Sequence, residues 1–215
     1  MWPFGNPNPD YPDWWQAYLQ ATDSKALMRQ KVEEAEYLVL DTETTGLNPQ
    51  KDRILSLAVY TIREGGLWMH ESHSLYWSQK TAGGKAVEIH GIMPKYSESN
   101  GTDEAEAIRL FSQWAKGKIW VGHHIGFDFQ ILNSCLKRQL GKAEWVNPLF
   151  DTVHLHRIIR RMTAQNPISL DELCHQYRIT IEERHTAQGD AMMTALILLK
   201  MLPKIQGFRI RDLAM

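Results

Sequence analysis

An apolar run, Tyr37-Leu38-Val39-Leu40, leads into two carboxylates one residue apart, Asp41 and Glu43. A short run of this kind reads as a buried strand. Side chains alternate along a strand, so residues 41 and 43 point the same way. Two carboxylates side by side at a strand end repel each other, and a fold tolerates that poorly unless cations hold them. Oxygen-only donors call for a hard divalent metal. The Thr44-Thr45-Gly46-Leu47 that follows adds hydroxyls, exposed N–H groups and a glycine that lets backbone approach a ligand.

Around this strand the chain falls into a recognisable order. Residues 1 to about 12 carry Pro3, Pro7, Pro9 and Pro12 and read as an irregular arm. From Asp13 to Glu36 the pattern is helical, with Trp14, Tyr18, Leu19, Leu27, Met28 and Val32 as buried contacts and a fresh N-cap at Asp23-Ser24. A second strand spans 53–63, and Glu64-Gly65-Gly66 turns the chain back into a third over 67–77, an antiparallel hairpin. Asp103 and Glu106 resemble a capping box ahead of Ala107, Leu110, Phe111 and Trp114 at helical spacing. Ile119-Trp120-Val121 is a short buried strand, and the helix after it carries Ile131, Leu132, Cys135 and Leu136. Pro148-Leu149-Phe150 is another strand, followed by helices at about 151–162, 169–177 and 187–201. The order β-β-β-α-β-α-β-α-α implies an α/β fold whose mixed sheet, an antiparallel hairpin plus parallel strands, is flanked by helices.

Composition removes several classes of protein. At 215 residues and 43% apolar content the chain is a generous single domain with extensions. A net charge of −1 rules out a strong basic field, although divalent cations among carboxylates would make a site much less negative than its side chains imply. Cys135 and Cys174 lie in apolar-periodic stretches and read as buried reduced thiols. No apolar run approaches the ~18 residues of a membrane span. The start, Met1-Trp2-Pro3-Phe4-Gly5-Asn6-Pro7, lacks the basic and apolar regions of a secretory signal, so a cytoplasmic enzyme is expected.

Two further motifs carry acids. His123-His124-Ile125-Gly126-Phe127-Asp128 follows the strand at 119–121, and alone Asp128 could be an ordinary acid in a helix first turn. His185-Thr186-Ala187-Gln188-Gly189-Asp190 opens the last long helix and sets Asp190 beside the stripe Ala191, Ala195, Leu198 and Leu202. Zinc is not favoured at His123 and His124, because no cysteine or third histidine has matching spacing. His70, His73, His154 and His156 read as ordinary surface or core histidines. Arg157, Arg160 and Arg161 form a basic stripe at helical spacing, suited either to phosphate contacts or to a solvated helix face.

Taken together the three motifs resemble those of the DEDDh 3′→5′ exonucleases, the group that contains the proofreading epsilon subunit of bacterial DNA polymerase III. Asp41 to Leu47 matches the first exonuclease motif, Gly122 to Asp128 the second, and His185 to Asp190 the third, the histidine five residues before the acid marking the subtype. Ile89-His90-Gly91-Ile92 and Phe150-Asp151-Thr152 match accessory features. The resemblance covers an exonuclease domain at 37–203, leaving an N-terminal arm and helical extension at 1–36 and a tail at 204–215. His124 stands where the family usually has Asn, and the chain stops at Met215 without a polymerase-tethering tail, which argues against a dedicated replicative proofreading role.

The resemblance implies an RNase H-like fold and two Mg²⁺ or Mn²⁺ ions held by Asp41, Glu43, Asp128 and Asp190, with His185 as the general base. It places a terminal nucleotide against Thr44, Gly46, Leu47, His90 and Phe127, with Leu47 as an apolar wedge. The implied reaction is hydrolysis of terminal phosphodiesters of single-stranded DNA to nucleoside 5′-monophosphates. An RNA-trimming exonuclease of the same fold, and a non-catalytic nucleic-acid-binding or partner module, are the alternatives. The extension at 1–36 is the place for a protein partner.

Overall fold

The computed structural model describes residues 11–78, 101–163 and 166–215. His90 and its motif Ile89–Ile92 lie outside the described residues, as does the arm before Tyr11. Strands β1 (Tyr37–Thr44), β2 (Ile54–Arg63), β3 (Gly66–Tyr76), β4 (Ile119–Gly122) and β5 (Leu149–Asp151) form one sheet in the order β3-β2-β1-β4-β5. The pairs β1–β2 and β2–β3 are antiparallel, and β1–β4 and β4–β5 are parallel. The described helices are α1 (Asp13–Ala21), α2 (Ser24–Arg29), α3 (Glu104–Ala115), α4 (Gly126–Leu140), α5 (Thr152–Arg160), α6 (Leu170–Tyr177) and α7 (Ala187–Met201). This is the RNase H-like mixed sheet that the motifs imply.

The two-residue repeat of β1 sorts the chain into two layers. Tyr37 and Val39 face α7, packing with Ala58, Ile62, Ala191, Ala195 and Leu198. Leu38 and Leu40 face the other side, with Trp120, Phe111, Ile131 and Trp145. Carried on by the same alternation, Asp41 and Glu43 fall on the α7 side and Thr42 on the α4 side. Cross-strand partners on the site side are small, Ala58 opposite Asp41 and Ser56 opposite Glu43.

Residues 13–36 and 204–215 both feed the core. Trp15 stacks on Tyr18 at 4.5 Å, and both meet Trp145 edge-on, at 5.1 and 4.9 Å. Tyr18 donates to the Asn147 side chain and accepts from Val146 N at 3.0 Å, while Asn147 Nδ2 donates to Ala115 O and Lys118 O at 2.8 Å. Trp15 is the buried residue of this pair and Trp14 only half-buried, the reverse of the sequence expectation. At the other end Ile205, Ile210 and Leu213 join the α7-side cluster. Cys135 and Cys174 are free and buried, as expected. No helix among the described residues is long and apolar enough to cross a membrane.

Candidate active site

The strand carrying the first acids is longer than its apolar run. β1 continues to Thr44 because β2 keeps pairing with it, through Glu43↔Ser56 and, past a bulge, Thr44↔Ile54. Its parallel ladder to β4 stops at Val39. Beyond that point one edge of β1 is open, and Thr42 N is free to donate to Asp128 Oδ1 at 3.0 Å, joined by Thr42 Oγ1 at 2.7 Å. Asp128 sits in the first turn of α4, so a residue of the opposite layer is brought to the strand by a backbone bond.

Asp190 comes from the first turn of α7, which crosses β1 and β2. One carboxylate oxygen from each of Asp41, Glu43 and Asp190 lies within 4.8 Å of the others. Burial first, then the charges of Asp128, Asp190 and Glu43, push the Asp41 carboxyl well above the usual carboxylate range. Burial, then Asp190 and Asp128, push Glu43 up to about 7. Burial likewise lifts Asp128 to about 7, against the two bonds from Thr42 that favour its charged form. The cluster is therefore short of positive charge. Asp190 Oδ1 is buried without a hydrogen-bond partner. An all-carboxylate donor set with a buried, unpartnered oxygen fits a hard divalent cation.

The turn before α7 differs from the expectation. Glu183 and His185 both adopt left-handed backbone, with φ of 49° and 62°, and such residues cost of order 1 kcal/mol each. Three contacts hold the turn: Thr186 Oγ1 donates to Glu183 O at 2.7 Å, Gly189 N donates to Thr186 Oγ1 at 3.0 Å, and Gly189 presses on Glu183, where a Cβ would fall 2.1 Å from the carbonyl oxygen. His185 is exposed and has no side-chain hydrogen bond among the described residues. Arg184 points inward instead. One Nη donates to Asp190 Oδ2, and Nε donates to Asp171 Oδ1 at 2.5 Å. Arg184 and Asp190 line a cleft of about 480 Å³ with Asp41, His123, His124 and Leu170. Sequence reasoning missed Arg184, although it is the basic residue immediately before the third motif, next to a cluster of acids that needs a cation.

The substrate-side residues scatter more widely. Leu47 is 88% exposed at the tip of the loop after β1, an apolar side chain offered to solvent. Asp52 organises that loop, accepting from Thr45 Oγ1 at 2.9 Å and Asn48 N at 2.8 Å. Gly46 faces the same carboxylate, since a Cβ there would fall 2.7 Å from Asp52 Oδ2. The glycine thus makes room for Asp52 whatever it also offers a ligand. Thr44 Oγ1 donates to Gly46 O at 2.8 Å, and Phe127 is half-buried at the start of α4. His124 has a φ of 58° and is exposed. Burial and the neighbouring His124 hold the His123 imidazole down at about 4, and its Nδ1 lies 3.0 Å from Thr152 Oγ1. Asp151 caps α5 through Val153 N and His154 N and accepts from Ile125 N at 3.0 Å, tying the second motif to the accessory one.

The three arginines of the stripe have different surroundings. Arg157 Nη2 donates to Asn166 O at 2.8 Å, Arg160 is exposed, and Arg161 is the left-handed residue that ends α5. His156 is a core histidine, 3.1 Å from the Tyr177 hydroxyl, and His73 stacks on Trp114 at 4.4 Å.

Comparison with known proteins agrees with this geometry. The RNase_T family, described as Exonuclease, matches residues 38–198. A DNA polymerase III subunit epsilon-like protein of Rhodobacter capsulatus is 33% identical over 186 residues, 85% of this chain and 26% of that protein. The PolC-type DNA polymerase III of Bacillus subtilis is 31% identical over 171 residues, 80% of this chain and 12% of that polymerase. The chain thus spans about a quarter or less of these relatives. Among solved structures, Escherichia coli exonuclease I with a dT13 oligonucleotide superposes with a TM-score of 0.64 at 21% identity, over 80% of this chain and 41% of that one. Exonuclease I of Methylocaldum szegediense gives 0.64 at 24% identity, over 83% and 42%.

Proposed function

This chain belongs to the RNase_T exonuclease family, and from that premise we propose that it removes nucleotides from the 3′ end of single-stranded DNA, releasing nucleoside 5′-monophosphates. The observation that carries this reading is the convergence of Asp41, Glu43 and Asp190 within 4.8 Å, with Asp128 held beside them by Thr42. The four carboxylates would hold two Mg²⁺ or Mn²⁺ ions, which supply activation of the attacking water and stabilise charge on the phosphate and the leaving 3′ oxygen. The chain's own residues do the rest. His185 takes the proton of the attacking water on a ring nitrogen, and only its neutral form can do so. Leu47, exposed at its loop tip, wedges against the last bases, a sequence-tolerant contact. Thr44, Gly46, Phe127 and His90 hold the terminal nucleotide. The oligonucleotides bound by exonuclease I support single-stranded DNA as the substrate, and relatives named for a DNA polymerase support a cytoplasmic setting.

The test is an assay on 5′-end-labelled single-stranded DNA and RNA of one sequence, with Mg²⁺, Mn²⁺ or EDTA, and Asp41→Ala as control. Stepwise shortening from the 3′ end in metal alone, faster on DNA, is expected. Internal cuts, release from the 5′ end or full activity in EDTA would sink the reading. Faster turnover of the RNA would make the enzyme an exoribonuclease.

A further inference from the structure

Arg184 has no task in the chemistry above, yet among the described residues it is the cation that sits against the carboxylates. Its side chain is 23% exposed and forks between Asp190 on α7 and Asp171 on α6. Asp190 thereby has one oxygen taken by the guanidinium and the other buried without a partner. The backbone on both sides of Arg184 is left-handed, and the residue that follows is the exposed His185. A strained turn, an inward arginine and an outward histidine therefore form one unit.

We propose that Arg184 is a displaceable counter-cation and a positioning residue: a divalent ion binding at Asp190 competes with the guanidinium for that carboxylate, and loss of the ion pair releases the strained turn that presents His185. This rests on the reading of the site as a metal-dependent nuclease. The competition follows from charge. A divalent ion and a guanidinium on one carboxylate repel each other, and the higher charge wins among three or four carboxylates. Asp171 lies outside the cluster and keeps Arg184 partnered once Asp190 is given up, so the exchange strands no buried charge. The strain at Glu183 and His185 is held by the fork on one side and by Gly189 on the other. Freeing one side gives the turn a direction in which to relax.

The experiment uses the full chain at one alkaline pH and measures Mn²⁺ binding by electron paramagnetic resonance for wild type, Arg184→Gln and Arg184→Lys. Arg184→Gln is expected to bind Mn²⁺ about tenfold more tightly, within the span usual for coupled sites. Arg184→Lys, which keeps the charge but cannot span both carboxylates, falls between, and it carries the test if circular dichroism shows Arg184→Gln unfolded. A second readout follows the His185 ring signal by NMR as Mg²⁺ is added. In wild type it moves with the metal; in the Arg184 variant that folds it already stands near the metal-bound position in EDTA. Equal or weaker Mn²⁺ binding by the folded variant, or identical movement of the His185 signal in wild type and variant, overturns the proposal and leaves the nuclease reading standing. Failure of every protein to bind Mn²⁺ overturns both.

Discussion

β1 and the turn at 183–186 both supply the site, and they hold their residues by opposite means. β1 is laddered to β2 along its whole length and to β4 at its start, and a backbone bond to Asp128 takes over where the second ladder stops. Asp41 and Glu43 are therefore fixed by regular structure. The turn has no ladder. It is held by left-handed backbone, a glycine pressed on a carbonyl, and a forked arginine. Two of the four acids, Asp41 and Glu43, are built into the sheet, whereas His185, the proposed general base, is carried on a strained segment.

The contrast can be broken most severely at the strand. Asp41→Ala should lose roughly 10⁴-fold or more in turnover, while its melting temperature in EDTA holds or rises, because a member of a mutually repelling cluster is gone; a melting temperature that collapses would make Asp41 a structural residue. On the turn, His185→Ala should lose about 10²–10⁴ in rate and still bind Mn²⁺ as wild type does, and weakened Mn²⁺ binding would make it a ligand. Gly189→Ala puts a Cβ 2.1 Å from Glu183 O. It should cost about 1–3 kcal/mol by denaturation and roughly 10²-fold in rate by displacing the turn, and an unchanged rate would show that the turn's geometry does not matter.

A smaller effect lies in pH. The Glu43 and Asp128 carboxyls stand at about 7 in the folded chain, against roughly 4 when unfolded. Between those values the folded state binds more protons than the unfolded one, so stability in EDTA falls as pH rises from about 4 to about 7 and then levels off. Glu43→Gln should flatten this slope, and saturating Mg²⁺ should cancel most of it. A melting curve with the same slope in wild type and Glu43→Gln would show that the cluster's charge is compensated elsewhere. The smallest effect is expected for His124→Asn. The φ of 58° there suits Asn better than His, so melting temperature should rise slightly and turnover stay within about twofold; a dead variant would put His124 among the catalytic groups.

Much of this was legible in the chain because periodicity and punctuation agree. Glu64-Gly65-Gly66 marks the hairpin at which β2 becomes β3, and Thr186 opens α7 at the residue where the acid motif suggests a helix start. The motifs grouped four acids, and the fold brings three of them together, two from β1 and one from α7. The less legible parts depend on side-chain competition. Asp103 caps α3 through Ala105 N and Glu106 N, but Glu106 returns no bond because Arg109 takes its carboxylate. Trp14 and Trp15 are equally apolar, and only the position of Trp145 decides which is buried. Whether Arg184 or His185 faces the acids is set by the backbone of one turn, which no spacing rule encodes.

The hub around Tyr18 has a consequence in time. Tyr18 and its partner Asn147 are 129 residues apart. During synthesis at ~5–20 residues per second, Tyr18 is made roughly 6 to 26 seconds before that partner. Through that interval Trp15 and Tyr18 lack Trp145, the ring that both meet edge-on. The aromatic helix that precedes the sheet in sequence is thus locked in place only after the strands and helices between residues 37 and 140 have been made.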